Sequence, residues 1–309
     1  MANPNQRNPV ALIAGPTASG KTALALALAQ RQVSTIINAD SAQVYSALPI
    51  LSAQPSDAEK ASAPHKLFGY LDGAEACSAA RWANDAKLAV TDAHQSGRLP
   101  ILVGGTGLYL RTLLDGIAPI PEIAADIRAE VRALTTELAA AALAGEDAGL
   151  FGLLAPTDDS RIKRGLEVIR STGRSILHWR SEKLGGIADQ ITLHPVLVLP
   201  PRDWLHNRCN QRFETMMASG AITEVQALLE RNLPRDAPVM RAIGVPEISA
   251  MLNGEIAESK AVELAQAATR QYAKRQYTWF KNQSSPDWPR WENELSDSNL
   301  TIIERLLRF

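Results

Sequence analysis

The chain has 309 residues, 46% of them hydrophobic and 21% charged, and its 32 basic and 33 acidic side chains leave a net charge of −1. That length accommodates one large and one smaller domain, and the composition argues against a disordered chain and against a globally basic nucleic-acid binder. Two cysteines, Cys77 and Cys209, exclude a disulfide framework and a cysteine-based metal site, and they fit a reducing compartment.

The opening stretch MANPNQRNPV is polar and lacks the apolar core of a signal peptide. No apolar run approaches the roughly 20 residues that a membrane helix needs. A soluble, cytoplasmic protein without membrane contact is expected.

VALIA, residues 10–14, predicts a short buried strand. GPTASGKT follows at residues 15–22 and fits the phosphate-cradling pattern G-x-x-x-x-G-K-[ST]. KTALALALAQRQ then reads as a helix that is apolar nearly all round and therefore buried. Strand, loop and helix form the context in which this pattern has a mechanism. Gly15 and Gly20 let the backbone wrap an anion, and loop N–H groups with the helix N-terminus supply positive potential. Lys21 adds a point charge and Thr22 offers a hydroxyl to Mg²⁺. The pattern leaves open whether the phosphate belongs to a nucleotide or to another anion.

STIINADS predicts a second strand ending at Asp40 and Ser41, and LPILVGGTGLY a third ending in Gly104, Gly105 and Thr106. AARWANDAKLAVTDAHQSG suits a crossover helix between them. The expectation is an α/β fold with a parallel sheet flanked by helices, whose strand C-termini carry the polar chemistry. Lys21, Asp40 and Thr106 then converge. Asp40 reads as a Mg²⁺ ligand, a general base or a helix cap, and Thr106 as a site residue or a turn residue.

Residues 122–185 read as helical and include the alanine-rich ELAAAALAGEDAGL. A small all-helical domain at 121–190, inserted into a core formed by 1–120 and 191–309, is expected. Within it, DSRIKRGLEVIRSTGRS gathers Arg161, Lys163, Arg164, Arg170 and Arg174. Those charges suit a kinase-type lid, an RNA-binding face or a solvated helix surface.

HPVLVLPPRDWL returns to strand. The helix at 203–219 places Leu205, Cys209, Phe213 and Met216 on one face and brings Arg208 and Arg212 together on another, with Gly220 as its stop. Two arginines at that spacing suit a diphosphate. In the helix at 255–282 the period puts Ala261, Leu264, Ala265, Ala268, Tyr272 and Trp279 on one side. Arg270, Lys274, Tyr277 and Lys281 fall opposite, as an RNA-facing stripe or a solvated face.

GPTASGKT, DSAQVY, PHKLFGY, ILVGGTGLYLRTLLDG, DSRIKRGLEVIRSTGRS, RAIGVPEI and RQYAKRQYTWFKNQ occur in that order. Over about residues 10–283 the chain resembles the bacterial tRNA dimethylallyltransferases, also called tRNA isopentenyltransferases. The resemblance implies a P-loop NTPase-like fold and transfer of a dimethylallyl group from dimethylallyl diphosphate to N6 of the adenosine beside the anticodon. It implies that Gly15, Thr17, Ala18, Ser19, Gly20, Lys21, Thr22 and Arg208 hold the diphosphate, with Mg²⁺ on Thr22. Asp40 takes the position of the base and Thr106 that of a contact to the target nucleotide. The tRNA anticodon stem-loop is implied to meet Asp40, Ser41, Ala42, Gln43, Thr106, Arg128, Ser160, Arg161, Ile162, Lys163, Arg164, Arg241, Ala242, Ile243, Gly244, Val245 and Pro246. A monomer is expected. Prenylation of free adenine nucleotides, a P-loop kinase and a non-catalytic RNA-binding NTPase are the competing readings. The tail from Ser284 matches nothing in the family pattern.

Overall fold

The structure, a computed structural model, describes residues 8–307. The polar opening stretch therefore lies outside the described residues as far as residue 7. The chain forms two compact units. One comprises the residues up to Leu113 together with those from Ala188 onward, and the other is Leu114–Ile187.

The first unit is built on a six-stranded sheet. Its strands are β1 (Asn8–Ala14), β2 (Ser34–Asn38), β3 (His65–Lys66), β4 (Leu99–Gly104), β5 (Ile191–Val198) and β6 (Arg290–Trp291). They lie in the order β3-β2-β4-β1-β5-β6, and every pairing is parallel. The register sets Ala11 opposite Ile101 and His194, with β1 at the centre. The helices are α1 (Lys21–Arg31), α2 (Asp57–Ser62), α3 (Ala79–Gln95) and α4 (Gly107–Asp115), then α5 (Ala125–Ala133), α6 (Thr136–Glu146), α7 (Ala148–Phe151), α8 (Asp159–Thr172) and α9 (Ile176–Arg180). After β5 come α10 (Arg202–Ala218), α11 (Ala221–Glu230), α12 (Val245–Leu252), α13 (Glu258–Gln283) and α14 (Asp297–Leu306).

Val10 to Ala14 are fully buried, because a central parallel strand is covered on both faces. Each large side chain removed from water there contributes about 1.5–3 kcal/mol. Ile13, Leu24, Ile36, Ile101, Val103 and Val196 share one core. Ser78 caps α3 by accepting the Arg81 N–H, and the face of Trp82, Ala83, Ala86, Ala89, Val90 and Ala93 is buried. The Trp82 indole donates to the Asn38 carbonyl at 2.9 Å, which anchors the end of β2.

Two helices differ from the expectation drawn from hydropathy. α1 buries Lys21, Leu24, Ala25 and Leu28 but exposes Ala23, Gln30 and Arg31, so it is not buried all round. α13 buries Ala261, Ala265, Thr269, Ala273, Gln276 and Phe280, while Leu264 is exposed. The opposite stripe is partly engaged, while Lys274 and Lys281 are exposed. Arg270 donates to Asn210 at 2.6 Å, and Tyr277 lies under Arg202, 5.0 Å from guanidinium carbon to ring centroid. Polar side chains that satisfy themselves inward rotated the buried face away from the simple apolar stripe.

The tail from Ser284 is part of the core. β6 extends the sheet beyond β5, α14 packs on α1, and Leu307 is fully buried with Leu24 and Ile13.

The second unit has its own core of Ile123, Val131, Ala139, Leu143, Leu150, Ile162, Leu166, Val168 and Ile176. α8 passes so close to α7 that a Cβ on Gly165 would lie 2.5 Å from Leu150. Buried Glu167 meets Arg164 at 3.0 Å and Arg132 at 3.6 Å, so its charge is compensated.

Candidate active site

The connection leaving β1 runs to β2, on one side of it in the sheet. The connection leaving β4 runs to β5, on the other side. Neighbouring strands whose connections run in opposite directions along the sheet place a crevice at their C-terminal ends. The loop from Gly15 to Thr22 follows β1, and the Gly104–Thr106 turn follows β4.

Gly20 sits at φ 94° as the N-cap of α1 and supplies no side-chain cap, so the first N–H groups of the helix stay available to an anion. Ala18 lies in the left-handed region at φ 62°, a cost of about 1–3 kcal/mol that surrounding contacts must offset. One such contact is Arg208, whose Nε donates to the Ala18 carbonyl at 3.2 Å while its guanidinium lies over Trp204. Arg212 donates to the Thr17 hydroxyl, and burial lowers its pKa. Lys21 donates to the Pro16 carbonyl at 2.5 Å. Burial pushes its ammonium down to about 8, against the opposing pull of the Asp40 carboxylate and with a further push from Arg212. Lys21, Arg208 and Arg212 thus bring a concentrated positive charge to one short loop.

Asp40 is held by the turn that ends β2. Asn38, fully buried, accepts the Asp40 N–H at 2.8 Å and donates to the carbonyls of Asp40 and Leu67 at 3.0 and 2.9 Å. The Asp40 carboxylate accepts the Ala42 N–H at 3.0 Å. This is a turn within 40–42, so the helix-cap reading of Asp40 is not what the structure shows. Thr106 is locked to the same turn. Its N–H donates to Ala39 at 3.1 Å, and its hydroxyl accepts the Ser41 N–H at 2.9 Å and donates to the Ser41 hydroxyl at 3.2 Å. The approach requires glycine at 104, where a Cβ would sit 2.2 Å from the Ala39 carbonyl.

Asp40, Ser41, Ala42 and Thr106 line a cavity of about 620 Å³ together with Thr17, Arg212, Tyr272 and Arg275. Arg241, Ala242 and Ile243 also line it, and Leu51, Phe213 and Met216 give it an apolar part. Burial and the Asp40 charge raise the Tyr272 hydroxyl, which interacts with Thr106 and Ser41. Other residues named from the sequence stand elsewhere. Gln43 turns to the carbonyls of Ser52 and Ala53 at 3.0 and 2.6 Å. Val245 is buried at the start of α12, and Gly244 is crowded by Leu51 and Phe213. Arg128, Ser160, Arg161, Ile162, Lys163 and Arg164 belong to the second unit. Ile162 is fully buried in that unit's core, which removes its side chain as an RNA contact. Arg161, Lys163 and Arg164 pair with Asp158, Asp159 and Glu167.

The helical period places Leu205, Cys209, Phe213 and Met216 correctly on the buried face of α10, and the opposing arginines reach the phosphate loop. Gln276 was missed. Its side chain is buried, accepts the Thr17 N–H at 2.8 Å and donates to the Gly105 carbonyl at 2.9 Å. A glutamine among charged helix residues carries no hydropathy signal that separates it from a solvated one.

A family model described as IPP transferase matches residues 43–283. The chain is 57% identical over 292 residues to the tRNA dimethylallyltransferase of Erythrobacter litoralis, covering 93% of this chain and 92% of that one. It is 55% identical over 298 residues to the enzyme of the same name from Sphingopyxis alaskensis, covering 96% of each. Among solved structures, a eukaryotic dimethylallyltransferase acting on tRNA superposes with a TM-score of 0.83 at 26% identity, over 96% of this chain and 77% of that one.

Proposed function

The chain belongs to the IPP transferase family, whose matched relatives are tRNA dimethylallyltransferases, and from that premise we propose that its crevice joins dimethylallyl diphosphate to N6 of the adenosine 3′-adjacent to the anticodon, position 37. The activity is transfer of a dimethylallyl group to a tRNA adenosine. The donor, the residues and the chemistry at each are the proposal.

In this reading the phosphate loop holds a diphosphate and not the tail of ATP. The bond from the allylic carbon to the diphosphate oxygen breaks, and its electron pair leaves with the diphosphate. Loop N–H groups, Lys21, Arg208 and Arg212 stabilise the charge that builds there. N6 of adenine attacks the carbon, and the proton that N6 loses passes to the Asp40 carboxylate. Asn38 fixes the Asp40 backbone and the Ala42 N–H orients that carboxylate. Thr106, pinned by Ser41, contacts the target nucleotide beside it. An adenine turned out of the anticodon loop enters the cavity at a lower cost than one leaving a duplex.

Mg²⁺ fits the loop. The Ser19 hydroxyl is buried without a hydrogen-bond partner, and Thr22 stands in the first turn of α1. Among the described residues no group of three or more His, Cys, Asp or Glu side chains gathers as a metal cage. Such a donor set suits a cation shared with diphosphate oxygens. Thr22 with Ser19 would hold it, and when bound it neutralises charge on the departing group. The enzyme acts in this reading as a cytoplasmic monomer. Among the described residues no helix is long and apolar enough to cross a membrane.

The observation that carries the proposal is the meeting of Asp40, Thr106 and Thr17 of the phosphate loop on one cavity. The test mixes protein, Mg²⁺ and unmodified tRNA with dimethylallyl diphosphate or with ATP, followed by mass analysis of the nucleosides. A dimethylallyl mass gain on adenosine with the first donor alone is expected. ATP consumption without that gain returns the loop to a kinase role, and equal modification of free AMP removes tRNA as the required acceptor.

A further inference from the structure

Gln276 is a polar side chain buried at 5% exposure on α13, far in sequence from both loops it touches. Burying an amide is costly unless its donor and acceptor are both satisfied. Here each is satisfied by the backbone of a different loop. The side-chain oxygen accepts the Thr17 N–H of the phosphate loop at 2.8 Å, and the side-chain nitrogen donates to the Gly105 carbonyl at 2.9 Å, one residue before Thr106. Backbone partners of fixed polarity settle which end is oxygen and which is nitrogen. The space between the loops is fully used. A Cβ on Gly105 would lie 2.2 Å from the Gln276 nitrogen and 3.0 Å from the Gly15 carbonyl.

We propose that Gln276 is a positioning residue that holds the phosphate loop and the Thr106 turn at one separation, and so sets the distance between the departing diphosphate and the nucleophile. The inference rests on the reading of the site given above. Gln276 touches neither reacting group. It acts through Thr17 on the donor side and through Gly105 and Thr106 on the acceptor side. Bringing two substrates to reactive distance is worth a large part of such a rate, and an error of about 1 Å costs about a hundredfold. Each loop keeps contacts besides the clamp, the phosphate loop to Arg208 and Arg212 and the Thr106 turn to Ala39 and Ser41, so each substrate alone is expected to bind without it.

The test is Gln276→Met, which fills the space but pairs with neither loop, alongside Gly105→Ala, which leaves the amide but drives a methyl into it. Inorganic diphosphate and tRNA affinities are measured separately by titration, and kcat is measured with dimethylallyl diphosphate and tRNA both saturating. The expected result is a fall in kcat of about a hundredfold, with both separate affinities at native values. The double variant should lose no more than the worse single one, because both break the same link. Native kcat in folded Gln276→Met, or losses of affinity that account for the whole loss of kcat/KM, would overturn the proposal. If Gln276→Met does not fold, Gly105→Ala decides by the same criteria. Failure of both to fold makes Gln276 a determinant of folding and overturns its positioning role. Failure of the native protein to transfer at all would instead remove the functional reading itself.

Discussion

At Lys21 burial and the proposed hold on diphosphate pull in opposite directions. Its ammonium is pushed down to about 8 by burial, below the roughly 10.4 of an exposed lysine. The charged form therefore opposes folding in full at neutral pH, and that opposition is relieved progressively as pH rises from about 8 to about 10.4. A bound diphosphate reverses the balance by holding the proton on. Affinity for inorganic diphosphate should be full below about pH 8 and fall above it by up to about tenfold per pH unit. Calorimetric titration at pH 7 and pH 9 checks this, with Lys21→Met removing the lysine's share of the change. Asp40→Asn preserves an acceptor for the Ala42 N–H and should keep the turn. It should lower kcat by about 10²–10⁴-fold and leave tRNA affinity unchanged. Retained turnover would remove Asp40 as the base. Both residues were readable from the sequence, because their positions follow from a loop pattern and from a strand that ends in polar residues.

Among the elements, α8 pairs its cations with carboxylates along its own surface, and α13 departs from what hydropathy suggests. On α8 the cations Arg161, Lys163 and Arg164 are each offset by a carboxylate, with Lys163 and Asp159 at 2.9 Å. An RNA bound on this face would have to compete with those partners. Replacing all three by glutamine should weaken tRNA binding and make the slope of log affinity on log salt shallower, by at most about 2, given about 0.7 per single-strand phosphate contact. An unchanged slope would make this a solvated face. On α10 the apolar period alone identifies the buried side, because Leu205, Cys209, Phe213 and Met216 are apolar and regularly spaced. α13 defeats the same reasoning. Thr269 bonds to the Ala265 carbonyl at 2.8 Å and Gln276 bonds to two loops, so polar residues go inward while Leu264 goes out.

Over the whole first unit, the segment after Ser284 completes the sheet and bears on the phosphate loop. Leu295 lies against Gly20, 3.1 Å from where a Cβ would be, and Leu307 is fully buried. Leu307→Ala should destabilise the protein by about 2–5 kcal/mol, read as a lower urea midpoint. A native midpoint would show that the C-terminal packing is dispensable. Leu295→Ala loosens the backing of the loop and should weaken inorganic diphosphate binding more than tRNA binding. Equal affinity for diphosphate would separate the tail from the site.

What the sequence determined by itself is what local pattern controls. Apolar runs bounded by glycine and polar residues mark β1, β2, β4 and β5, and the eight-residue pattern marks the strand–loop–helix whose first helical N–H groups are left uncapped, since chain geometry over a few residues suffices for both. The tertiary structure alone decided which partners met. β6 is two residues long, below the reach of any period, and becomes a strand because the β5 edge is there to pair with it. The face of α13 was set by hydrogen bonds to Thr17 and Gly105, whose separation from Gln276 along the chain exceeds any local signal. Pairing across such distances is settled by the free energy of satisfying a buried polar group, which depends on the neighbours that folding brings to it.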